Sequence, residues 1–134
     1  MKKMVLFISV VTIAFAIPSC KKTDCNAGSG GDVTVVARMV HHSRAINGCT
    51  VYVKYCAKDF PGADTSKYDL SFKAAFDTPE VALTGLKSGD YYLYATGVDS
   101  LLDPSTWIVK GGIPFSTNLS SGSVNQTVFV TEGD

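Results

Sequence analysis

Across residues 33–131 the apolar side chains do not recur at the three-and-four spacing of an amphipathic helix. They alternate with polar ones in short runs, each ended by a cluster of turn-forming residues. Alternation places successive side chains on opposite faces of a strand, so this pattern dictates a sheet protein. The runs fall at 33–40, 49–56, 70–76, 81–86, 91–98, 107–110 with a continuation through Phe115, and 124–131. Only 70–76, with Ala74 and Ala75, would also suit one helical turn. In the first run Val33, Val35, Ala37 and Met39 are expected inward, with Thr34 and Arg38 outward. In the second, Cys49, Val51, Val53 and Tyr55 share one face and Thr50, Tyr52, Lys54 and Cys56 the other. In 91–98, inward Tyr91, Leu93 and Ala95 force Tyr92 and Tyr94 outward. About seven strands at a spacing of ~8–15 residues predict an all-β antiparallel sandwich.

The N-terminus follows a different logic. Lys2 and Lys3 precede an uncharged, largely apolar run of 14 residues at 4–17. A membrane-spanning helix needs ~20 apolar residues, so this run reads as the core of a secretory signal. It ends in Ile17-Pro18-Ser19-Cys20, with an aliphatic residue three before a cysteine and a small one just before it. The junction resembles the lipobox of bacterial lipoproteins, although Pro18 stands where that family prefers a small residue. The resemblance implies that residues 1–19 are removed and that Cys20 carries the lipid at the new N-terminus. Such an anchor exceeds the two-signal threshold for stable membrane attachment. Lys21 follows where an Asp would imply retention in the inner membrane, so the resemblance favours the outer membrane of a Gram-negative cell. The alternative is an ordinary secretory signal with an incidental cysteine. Residues 20–32, with Gly28, Ser29, Gly30 and Gly31, are expected as a flexible tether, and 33–134 as the domain.

Charge excludes some functions. Lys+Arg and Asp+Glu number 12 each, and loss of Lys2 and Lys3 leaves a net charge near −2. Neither a nucleic-acid binder nor an acidic tail has this balance.

Two runs carry a further resemblance. Arg44-Ala45-Ile46-Asn47-Gly48-Cys49-Thr50-Val51, and FDTPEVALTGLKSGDYYL at 76–93, resemble the paired motifs of carboxypeptidase-regulatory-like, or prealbumin-like, domains. In the second run Leu83 and Leu86 point inward, and Gly89 permits the turn that launches Tyr91 and Leu93 into the core. The resemblance spans roughly 33–131 and implies a seven-stranded antiparallel Greek-key sandwich. It implies no activity, because this fold hosts binding modules, stalks and a few enzymes. The hydrolases of similar fold carry a C-terminal Tyr-Arg-Gly-Ser where this chain has Val130-Thr131-Glu132-Gly133-Asp134. An intramolecular isopeptide bond needs a first-strand Lys, and that strand offers Arg38. No Gly-x-Ser-x-Gly, His-Glu-x-x-His or phosphate-cradling loop occurs. The chain is therefore expected to be a non-catalytic, lipid-anchored envelope module without a cofactor. A metal-binding lipoprotein and a small hydrolase are the alternatives.

Three groups of residues are candidates for function. Tyr52, Lys54, Tyr92 and Tyr94 form an outward stripe if their strands are neighbours, suited to a glycan or another envelope protein. The bland alternative is cross-strand pairing that stabilises the sheet. His41 and His42 are the only histidines, and imidazole is a common ligand of Cu and Zn. Adjacent strand residues face opposite ways, so both reach one metal only if alternation breaks at the strand end. A third ligand would come from a carboxylate or Cys56, and the bland alternative is a polar turn. Of the cysteines beyond Cys20, Cys49 and Cys56 are disfavoured as a pair, since seven strand residues separate them by ~23 Å. Cys49 is expected in the core, and Cys25 on the tether is within reach of Cys56. No CxxC supports a redox role.

Overall fold

A computed structural model describes residues 25–102 and 107–132. Cys20, with the signal, lies outside the described residues. Among the described residues nine strands occur: β1 (Ser29–His41), β2 (Arg44–Ala45), β3 (Thr50–Tyr55), β4 (Leu70–Lys73), β5 (Glu80–Leu86), β6 (Gly89–Val98), β7 (Ile108–Thr117), β8 (Ser121–Phe129) and β9 (Thr131–Glu132). The described residues contain no α-helix, only one 3-10 turn at Thr65–Lys67. Among them no helix is long and apolar enough to cross a membrane.

The strands form two sheets. In one, β1 is flanked by β5 and β8, and β2 folds back on its C-terminal end. The other runs β4-β3-β6-β7-β9. The inward set expected on β1 is wholly buried: Val33, Val35, Ala37 and Met39. They share one core with Val51 and Val53 of β3, Leu83 and Leu86 of β5, Tyr91, Leu93 and Ala95 of β6, and Val128. Each strand buries one face, so a one-residue slip would expose its whole apolar set, and this fixes the registers. β3 pairs β6 with Tyr52 opposite Tyr94 and Lys54 opposite Tyr92.

Several expectations need correction. One pairing is parallel, β1 with β8 from Asp32↔Ser121 to Val40↔Phe129, so the sandwich is not purely antiparallel. The 70–76 run is a strand only over its first four residues. The tether expected over 20–32 does not extend so far. Residues 29–32 are already strand, and Cys25 is bonded to Cys56 with Cα atoms 5.6 Å apart. Between these points the chain docks through Tyr91, whose hydroxyl donates to Lys87 O at 2.6 Å and accepts from Gly28 N–H at 3.1 Å. Lys87 N–H donates to Gly28 O in turn. A composition of glycine and serine reads as a linker, but these backbone bonds need no side chains. Gly89 makes the docking possible: its φ is +147°, and a Cβ there would collide with the backbone of Ala27.

The C-terminus changes sheets. β8 ends at Phe129 beside β1, Val130 donates to Val40 O, and β9 then pairs with Val109 and Lys110 of β7. At this crossing a Cβ on Gly111 would run into Phe129 O, so only glycine lets the backbones pass. The crossing delivers Glu132 to the end of the sandwich that holds His41.

A candidate metal centre at the end of the first strand

The expected tyrosine surface does not exist as an exposed stripe. β3 and β6 are neighbours, and Tyr92 and Tyr94 do face away from the core, but only 7% and 3% of their surfaces are accessible. The loop after β3 lies over them. Phe60 packs 5.8 Å from the Tyr92 ring and 5.4 Å from Tyr94, and Tyr68 stacks on Tyr94 at 5.6 Å. Tyr52 remains half-buried beside Tyr68 at 5.9 Å. Tyr68 donates to Gly62 O, which pins the loop, and burial pushes its phenol up to about 12. Lys54 is engaged too, 3.2 Å from Asp69 Oδ1. Alternation tells which face a ring takes, not whether another segment covers that face. The rings form a second, smaller cluster, and the glycan- or protein-binding stripe is withdrawn.

The histidines are brought together. β1 and β2 are joined by the two residues His42 and Ser43, with φ of 45° and 66°. Two successive left-handed residues match the right-handed twist of a two-residue hairpin, at a steric cost for non-glycine side chains. Alternation ends there, and the exposed His42 ring folds back onto His41, centroids 4.1 Å apart. His41 itself is fully buried. Its Nδ1 lies 2.9 Å from Oδ2 of Asp99, itself buried just beyond β6. Asp99 also accepts from the Arg44 guanidinium and from Leu101 N–H at 3.1 Å. Burial works to raise the Asp99 pKa, but these three donors outweigh it and hold the carboxyl at about 2. An ionised Asp99 only accepts, so His41 Nδ1 carries the proton and its lone pair resides on Nε2 when the ring is neutral.

Nε2 has no hydrogen-bond partner, although it is buried. It faces Glu132 Oε1 at 3.3 Å, near enough for charge attraction but not aligned as a hydrogen bond. His41, His42 and Glu132 each present one ligand atom, all within 4.8 Å of one another. Glu132 and Asp99 carry no signal in the sequence. Neither belongs to a motif, and only the sheet crossing and the end of β6 bring them here. Cys56 is not the third ligand, because it is spent in the disulfide. The hydrolase alternative gains nothing here: Nε2, which in a nucleophile–His–Asp triad would face a hydroxyl, faces a carboxylate. Cys49 is buried against Ile46 O, and burial pushes its thiol up to about 11, so it is no reactive nucleophile.

No family model, curated protein or solved structure matches this chain. Beside the histidines, an open groove of about 960 Å³ is lined by Phe76, Val98, Leu101 and Ile108, with Arg44 and Asp99 on its wall.

The ion network makes a pH prediction for the metal-free protein. Asp99 is lowered from 3.8 to about 2, so its stabilisation is complete above the unfolded value and lost as pH falls through 2. The hydrogen bond to Asp99 raises His41 above 6.5, against burial and with help from Glu132. Its contribution is complete below 6.5 and fades as pH rises through the raised value. Urea unfolding should therefore show this network strongest between about pH 4 and 6.5. Asp99→Asn should flatten the acid limb between pH 4 and 2; an unchanged limb would show that Asp99 is not held as described.

Proposed function

We propose that the chain is a lipid-anchored, non-catalytic module of the cell envelope, attached through Cys20, a prealbumin-like Greek-key sandwich of seven main strands to which the two-residue β2 and β9 are additions. The observation that carries this reading is the Cys25–Cys56 bond. Structural disulfides persist in oxidising compartments, so the bond supports export, as do the basic n-region and the apolar run before Cys20. Its position adds geometry. Cys25 follows Cys20 by five residues, which span at most about 17 Å. A lipid on Cys20 would thus hold the sandwich close to the bilayer by the end at which Cys56 N–H meets Asp90 O. Asp90 lies at the start of β6, one residue after Gly89, and Asp99 follows its other end, about 30 Å away at the rise of a strand. The histidine end then points away from the membrane. Lys21 after the cysteine favours the outer membrane.

Cys20→Ala should move the protein from the membrane fraction to the soluble periplasmic fraction and abolish incorporation of labelled fatty acid. A variant that still partitions with membranes, beside a wild type that takes up no label, would end this reading.

A further inference from the structure

We propose that His41 Nε2, His42 and Glu132 bind one divalent transition-metal ion, with Cu²⁺ preferred to Zn²⁺. The site does not depend on the lipid anchor and goes beyond it. An orphaned atom points to it first. His41 is completely buried, and its Nε2 is aimed into the cluster without a hydrogen-bond partner. Its polar neighbour is the Glu132 carboxylate at 3.3 Å, which a neutral ring meets lone pair to lone pair, and a metal ion between the two would satisfy both.

The way that ring is held points to the same ligand. Asp99 accepts a hydrogen bond from Nδ1–H at 2.9 Å and is itself fixed by Arg44 and Leu101 N–H. A carboxylate on the remote nitrogen of a ligating histidine fixes its tautomer and orientation and raises its basicity. Asp99 is thus a positioning residue, acting through His41.

Spacing agrees. Bonds of about 2.0–2.1 Å place neighbouring ligand atoms about 3.3–3.4 Å apart in a tetrahedral site and about 2.8–3.0 Å apart in the tetragonal geometry of Cu²⁺. His41 Nε2 and Glu132 Oε1 already stand 3.3 Å apart. His42 lies within 4.8 Å of both and is exposed, and a shift of its side chain from the stack on His41 is what the site requires of it. Two imidazoles and one carboxylate suit first-row transition metals rather than Mg²⁺ or Ca²⁺, and the Irving–Williams order places Cu²⁺ above Zn²⁺. Three protein ligands leave a position open to water or to a ligand on the face turned from the disulfide.

The test is calorimetric titration of the purified full chain in detergent, after chelator treatment, with CuCl₂ and separately with ZnCl₂. One equivalent should bind, copper more tightly. His42→Asn, chosen because Asn tolerates the left-handed turn, and Glu132→Gln should each lower the affinity about tenfold or more while far-UV circular dichroism stays unchanged. Both replace exposed side chains, so the fold survives them, whereas His41→Gln would disturb the buried network around Asp99. Electron paramagnetic resonance of the copper form should show coupling to two imidazole nitrogens in the wild type and one in His42→Asn. No stoichiometric uptake, or uptake indifferent to both substitutions, would overturn the proposal. Either outcome leaves the fractionation result for Cys20→Ala unaffected.

Discussion

Tyr94→Ala is expected to destabilise the protein by about 3–5 kcal/mol, the range for removing a buried aromatic ring. Its outward direction from the sheet would suggest a surface residue whose loss costs almost nothing. The packing around it says otherwise. Tyr94 is 3% exposed and lies against Phe60, Tyr68 and Tyr52 at 5.4, 5.6 and 6.3 Å. Truncation leaves a cavity under a loop whose own backbone has little regular structure to hold it, so the loop and the sheet lose contact together. Phe60→Ala should cost less, because Phe60 is 53% exposed. Urea unfolding with an unchanged m-value measures the difference directly. A loss below about 1 kcal/mol for Tyr94→Ala would mean that the loop does not cover the ring in solution.

Removal of the Cys25–Cys56 bond is the second large effect. The two cysteines are separated by 31 residues. In the chain-entropy account, closing a loop of that length restricts the unfolded chain by about 3–4 kcal/mol. The bond also has a folded-state duty, since it fastens the segment that Tyr91 and Gly89 dock before β1 begins. The Cys25→Ser, Cys56→Ser double variant should lose roughly 10–20 °C in Tm, and reductant should have no further effect on it. The buried Cys49 thiol serves as an internal control, remaining unlabelled by alkylating reagents until the protein unfolds. Equal Tm values for variant and wild type would show that the bond does not form in the native protein.

The sheet character of this chain is legible because alternation is a local signal. It places Val33, Val35, Ala37 and Met39 inward, and it sets Tyr52 on the same face as Tyr94. Whether the strands that carry them are neighbours is not a local property; the structure pairs β3 with β6. What is not legible depends on segments distant in sequence. Nothing in Phe60 or Tyr68 announces that they fold over Tyr92 and Tyr94, because a loop with Pro61-Gly62 reads as solvent-exposed. The parallel pairing of β1 with β8 and the crossing at Val130 leave no periodic trace, so Glu132 has no visible connection to His41. A turn after the first strand is legible, but its tight two-residue form at His42-Ser43 is not. Asn-Gly announces such a turn, whereas His42-Ser43 does not. Only the mutual adjacency of the histidines points to the site, and the missing partners come from the ends of β6 and β9.

The proposed function puts a lipid on Cys20, five residues before the Cys25–Cys56 bond that clips the base of the sandwich. Intact-mass spectrometry of the protein purified from membranes, with and without reduction, tests both parts together. The account predicts a chain beginning at Cys20, heavier than its amino acids by a diacylglyceryl group and an N-acyl chain. It also predicts that reduction raises the mass by two hydrogens. A chain with an unmodified Cys20, or one whose mass reduction leaves unchanged, would contradict it.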